Sequence, residues 1–139
     1  MFTPVSMRSA NTYQTIGVET SIMGADPHRL VGLLFDALQQ SLATAKGAML
    51  NGDIAAKARA ISRAVRILEE GLKAALNDKD GGEVAANLRR LYDYCIFKTT
   101  EANMRNDVAS LDEVIRLIAP VADSWSQIRG QVGLPQYLS

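Results

Sequence analysis

Between Pro27 and Pro120 the chain runs for more than ninety residues without a proline, and no other feature restricts its fold as strongly. Proline is the residue a helix interior tolerates least, and this stretch is also filled with the best helix formers: 19 Ala and 15 Leu occur in the whole chain. Two turn-like clusters divide the run, Asn51-Gly52-Asp53 and Asn77-Asp78-Lys79-Asp80-Gly81-Gly82, with a weaker break over residues 103–107. The pattern predicts four helices near 27–50, 53–76, 83–104 and 107–119, preceded by a leader over residues 1–25 and followed by a piece that begins at Pro120. Asp26 is placed to cap the first helix, with Pro27 at its first position, and Asp53 to cap the second.

At ~100° per residue each helix carries an apolar stripe. The first holds Leu30, Val31, Leu34, Leu38, Leu42, Ala45 and Met49. The second holds Ile54, Ala58, Ile61, Val65, Leu68, Leu72 and Leu76, and the third Val84, Leu88, Leu91, Tyr92, Cys95, Thr99 and Ala102. Val108, Leu111, Ile115 and Ile118 form the fourth. Four stripes joined by short connections predict an all-α antiparallel up-and-down bundle over residues 26–130, with a short extra C-terminal helix and a tail at 131–139. A chain of 139 residues is expected to hold one such core.

Composition removes several function classes. Fifteen Lys and Arg balance fifteen Asp and Glu, so the basic footprint of a nucleic-acid or anionic-membrane binder is missing. A single Cys and a single His supply neither a disulfide nor the ligand sets of zinc or di-iron chemistry, and no cofactor motif occurs; Gly81-Gly82 reads as a turn before a helix. Cys95 lies on a core stripe and reads as a buried small hydrophobe. His28, in the first turn of a helix, reads as solvated. Asp36 and Asp93 fall opposite their core faces and read as solvated or ion-paired, without the convergence that acid-base catalysis needs. No catalytic residue is assigned. The N-terminus lacks a basic stretch leading into an apolar run, and no segment approaches ~18 apolar residues, so a soluble cytoplasmic protein is expected.

More informative are apolar residues off the stripes. On the second helix Ala60, Ala64, Ile67, Gly71 and Ala74 form a strip roughly 90 to 120° from the stripe, and on the third Tyr94 and Phe97 point away from the core, with Ala86 near Phe97. Leu117, Val121 and Ile128 lie to one side of the fourth stripe if that helix continues past Pro120. Two explanations remain open at this point. One is a wide core face, or cover by the leader and the residues around Trp125. The other is a groove for a partner helix, in which small residues admit a backbone and aromatics anchor it.

The order of several short motifs resembles the flagellar secretion chaperone FliS family. These are Ala10-Asn11-Thr12-Tyr13-Gln14, Asp26-Pro27-His28-Arg29-Leu30-Val31, Leu34-Phe35-Asp36-Ala37-Leu38, the Ala58 to Leu68 pattern, Gly81-Gly82-Glu83-Val84-Ala85-Ala86-Asn87-Leu88, Leu91-Tyr92-Asp93-Tyr94, Glu101-Ala102-Asn103, Leu111-Asp112-Glu113-Val114 and Trp125. The chain departs from the usual pattern at Phe35, at Ala37-Leu38 and over Cys95-Ile96-Phe97-Lys98-Thr99-Thr100. The resemblance implies a four-helix bundle, not an enzyme, that binds the C-terminal helical region of flagellin, hands it to the flagellar export gate and interacts with a second flagellin-binding regulator. It also implies a switching role for Tyr13, Ile16 and Val18 in the leader. The expected protein-binding residues are thus Tyr13, Ile16, Val18, Ala60, Ala64, Ile67, Gly71, Tyr94 and Phe97, on a monomer or weak homodimer without cofactor or metal. A helical adaptor for another amphipathic helix is the alternative.

Overall fold

Capping chemistry sets nearly every helix boundary. The computed structural model describes residues 26–131, which form α1 (Pro27–Asn51), α2 (Ile54–Arg66, continuing as a π-helix over Ile67–Lys73), α3 (Asp78–Arg105) and α4 (Val108–Gln131). Asp26, in an extended conformation, accepts the Arg29 amide at 2.8 Å, and Pro27 takes the first helical position, where its missing N–H costs nothing. Gly52, at φ 74°, ends α1 by donating its amide back to the Ala48 and Met49 carbonyls. One residue on, the Asp53 carboxylate accepts the Ala56 amide and opens α2. Asn77 accepts the amides of Lys79 and Asp80 to open α3, and Gly82, at φ 53° and ψ −128°, interrupts that helix after its first turn, a geometry open to glycine alone. The long straight part of α3 therefore starts where sequence expected it. Asn106, left-handed at φ 55°, closes α3. Asp107 then accepts the Ala109 amide and the Ser110 hydroxyl, a bond that holds its carboxyl below the usual carboxylate range.

The principal contacts run in a ring, α1 to α2 to α3 to α4 and back to α1. Cross-links at matching ends make neighbours antiparallel. Lys46 near the end of α1 pairs with Asp112 near the start of α4 at 2.8 Å, and the buried Lys57 at the start of α2 donates to the Asn103 carbonyl and the Asn106 side chain at the end of α3. Inside the ring, Leu34, Leu38 and Leu42 meet Ile61, Ile67, Leu68 and Leu72, Tyr92 and Cys95, and Leu111, Val114 and Ile118. Each large side chain buried there contributes about 1.5–3 kcal/mol.

Three expectations are corrected. The short extra C-terminal helix is not separate: α4 continues through Pro120 to Gln131. Pro120 and Arg116 both face solvent, so the carbonyl left without a partner is exposed to water, while Val121, Ala122 and Trp125 pack on the core and hold the second half in line. Ile54 and Val84, assigned to core stripes, are exposed. Both sit in first turns at the ends of the bundle, where Lys57 and Ala85 respectively are the buried residues. Ala58, assigned to the same stripe as Ile54, is also exposed, because the buried arc of α2 is turned away from it. Finally, His28 is not simply solvated. Its ring stacks on Trp125 with centroids 4.5 Å apart and planes 9° from parallel, its Nε2 lies 2.9 Å from the Trp125 carbonyl oxygen, and the Trp125 indole N–H donates to the His28 carbonyl at 2.9 Å. This two-way clasp joins the first turn of α1 to the far part of α4.

Candidate functional site

The small-residue strip of α2 faces inward. Ala60, Ala64, Ile67 and Gly71 are all buried, Ala64 and Ile67 completely, whereas Ala74 is half-buried. The helix packs against both α1 and α3, and over its α-helical part the buried arc spans about 120°, running from Ile61 round to Ile67 at ~100° per residue. Small residues in this arc let α1 approach. A Cβ added at Gly71 would lie 3.0 Å from Leu34 Cδ1, closer than side chains normally come. Those four positions are core, and the expected groove on α2 is not an open surface.

On α3 the opposite holds. Counting from Phe97, the buried residues Tyr92, Cys95, Thr99 and Ala102 all lie within about 40° of the opposite direction. Phe97 is 61% exposed and Met104 75%, and their seven-residue spacing puts them on one line about 10 Å apart along the helix. Tyr94, 41% exposed, stands one turn before Phe97 on the side toward α4. Its hydroxyl donates to Glu113 Oε2 at 2.6 Å, a bond that raises the phenol above its ordinary pKa. Lys98 reaches Glu101 at 3.2 Å and Glu113 at 3.6 Å, and Arg105 reaches Glu101 at 3.7 Å. On the other margin Lys73, at the end of the π-helix, pairs with Asp93 at 2.7 Å; that contact is the main cause of its raised pKa. The outer face of α3 is thus an apolar line with ion pairs fixed along both edges.

The inner side of the same helix is inert. Burial pushes the Cys95 thiol up to about 12 and also raises the Tyr92 phenol, so neither ionises near neutrality. Asp36 is exposed, and the exposed Asp93 is ion-paired to Lys73, as expected. Among the described residues no group of His, Cys, Asp or Glu could hold a metal, and no helix is long and apolar enough to cross a membrane. Tyr13, Ile16 and Val18 lie outside the described residues. Sequence reasoning did not single out Met104, although its position seven residues after Phe97 was a usable signal.

A closed helical bundle with an apolar line on one outer face is suited to holding another polypeptide. The chain matches the family described as flagellar protein FliS over residues 9–132, and it belongs to that family, which is one of chaperones and not of enzymes. It is 42% identical to a flagellar secretion chaperone FliS of Salmonella typhimurium over 84% of this chain and 86% of that protein. It is 41% identical to a flagellar secretion chaperone FliSB of Pseudomonas aeruginosa over 88% of this chain and 97% of the relative, and 34% identical to a FliS of Escherichia coli over 86% and 88%.

Proposed function

We propose that this chain is an export chaperone for flagellin, binding the C-terminal helical region of its client on the outer face of α3 and delivering it to the flagellar export gate. The observation that carries the reading is Phe97, a large aromatic exposed directly opposite a complete core face and aligned with Met104. An amphipathic helix laid along this line would cover both side chains, with the Lys98, Glu101 and Glu113 cluster along one edge available to fix its register. A client tail that is disordered alone loses conformational entropy on binding, so the interface needs apolar area to compensate. A second flagellin-binding regulator would meet the same complex.

Calorimetry with a peptide from the flagellin C-terminal region tests this. A one-to-one complex is expected, with gain of helix and a negative heat-capacity change, and Phe97→Asp is expected to abolish the heat while leaving the helical circular dichroism unchanged. Full binding by Phe97→Asp would remove α3 from the interface. Equal capture of full-length flagellin and of flagellin lacking its C-terminal region would replace the flagellin reading with that of a helical adaptor for another partner.

A further inference from the structure

The described residues hold two methionines in opposite surroundings. Met49 is enclosed in the core at 5% exposure, whereas Met104, in the last turn of α3, is 75% exposed. Cys95, the other sulfur on α3, is fully buried on the inner side, so Met104 is the sulfur that this helix presents to water. Met104 also stands seven residues after Phe97 on the same line of the helix, about 10 Å further along. A client helix laid on Phe97 therefore covers the Met104 thioether as well. An apolar, unbranched side chain of this kind adapts readily to a partner's surface, and it is also the side chain that one added oxygen turns polar.

We propose, on the reading that the α3 face holds the client, that Met104 is a site of reversible oxidation by hydroperoxides and that its sulfoxide lowers affinity for the client. In the step, the thioether sulfur attacks one peroxide oxygen: an S–O bond forms, the O–O bond breaks, sulfur gives up two electrons, and the second oxygen leaves as water after proton transfer. Return to the thioether takes two electrons from a dithiol, which becomes a disulfide as water is released, the chemistry of the methionine sulfoxide reductases. In the free chaperone the sulfoxide oxygen stays hydrated, so the fold is unaffected. Against the apolar face of a client helix it loses that water without gaining a donor, and the penalty falls on the complex alone. Binding is expected to weaken roughly ten-fold, as for one unpaired polar group buried at an interface. Met49 is out of reach of peroxide unless the bundle opens.

The test treats the folded full chain with hydrogen peroxide, removes the peroxide with catalase, and reads each methionine for a gained oxygen by peptide mapping and mass spectrometry. Met104 is expected to be oxidised well before Met49, with helical circular dichroism and the urea midpoint unchanged. Calorimetry with the flagellin C-terminal peptide, added only once the peroxide is gone, is expected to show the loss of affinity. The two methionine sulfoxide reductases, one for each sulfoxide epimer, with a dithiol reductant should restore it. Met104→Leu, whatever its own affinity, is expected to keep that affinity through the peroxide treatment, which excludes Met1, Met7, Met23 and Met49 as the cause. Oxidation of Met104 no faster than that of Met49 would overturn the site. An affinity unchanged by fully oxidised Met104, or an equal loss in Met104→Leu, would overturn the switch and leave the flagellin reading standing. Absence of peptide binding before any peroxide is added would overturn the flagellin reading and the switch with it.

Discussion

Helices α2 and α3 both carry apolar residues beyond their stripes, yet one set is buried and the other exposed, and the direction each set faces within the ring decides which. On α2 the extra residues are Ala60, Ala64, Ile67 and Gly71, and they are covered because α1 and α3 flank that helix. On α3 the extra residues are Phe97, Met104 and Tyr94, and the direction they occupy leads out of the ring. Small residues off a stripe thus record how closely an existing neighbour approaches, while a large aromatic facing outward records surface that the bundle itself does not use. Burial on α2 contributes to stability, whereas the apolar side chains on the outer face of α3 stay in water and contribute little to it.

The sharpest way to break this contrast is a pair of identical substitutions. Ile67→Asp places an unpaired carboxylate where nothing reaches water, and a loss of about 4 kcal/mol or more is expected, enough to unfold much of a domain whose total stability is on the order of 5–15 kcal/mol. Urea denaturation measures it. An Ile67→Asp protein as stable as the parent would mean that the α2 strip opens after all. A second test compares the two sides of α3, where Cys95 lies two residues from Phe97 and faces inward. Its folded pKa, near 12, stands above the unfolded value of about 8.5, so its contribution to stability is complete below the unfolded value and is lost as pH rises through the folded one. The buried Tyr92 acts in the same direction at still higher pH. Stability should accordingly decline from about pH 9 upward, and alkylation of the thiol at neutral pH should occur no faster than unfolding. Rapid alkylation of the folded protein would place Cys95 on the accessible side. Phe97→Asp is expected to change stability by no more than about 0.5 kcal/mol, since its side chain already lies in water. The smallest effect belongs to Tyr94→Phe, which removes the exposed bond to Glu113; melting temperature should barely move, while the ultraviolet pH profile loses the Tyr94 phenol and keeps the raised one of the buried Tyr92.

Much of this was legible in the chain. The proline-free run, the Asp26 and Asp53 caps and the Gly81-Gly82 turn located α1, α2 and α3, because capping and left-handed turns depend on a few local residue types. Tyr94 and Phe97 were correctly placed as outward-facing for a related reason, since a helix with one narrow buried side obeys the simple wheel. The α2 strip was misread because a wheel shows angle but not how wide an arc the neighbouring helices cover, and the buried arc of α2 is wider than that of α3. Ile54 and Val84 were misread because the wheel is blind to where a bundle ends. The His28–Trp125 clasp spans 97 residues in sequence, and no local pattern announces it. Pro120 misled for an energetic reason: a proline on the solvent side of a helix loses one hydrogen bond, and the packing of Val121 and Trp125 offsets it.

The π-helix over Ile67–Lys73 bears on how α2 tolerates changes in length. A π turn takes about one residue more than an α turn, so this stretch amounts to a regular helix that has absorbed an insertion without letting the residues beyond it rotate out of place. Lys73 still reaches Asp93, and Leu72 still reaches the core. Elsewhere in the bundle, deleting one residue would swing everything downstream by ~100° and turn a core face toward water. Within this stretch the same deletion would relax the wide turns to ordinary ones and leave the end of α2 facing nearly the same way, making it the place where related chains can differ by one residue and keep the same bundle.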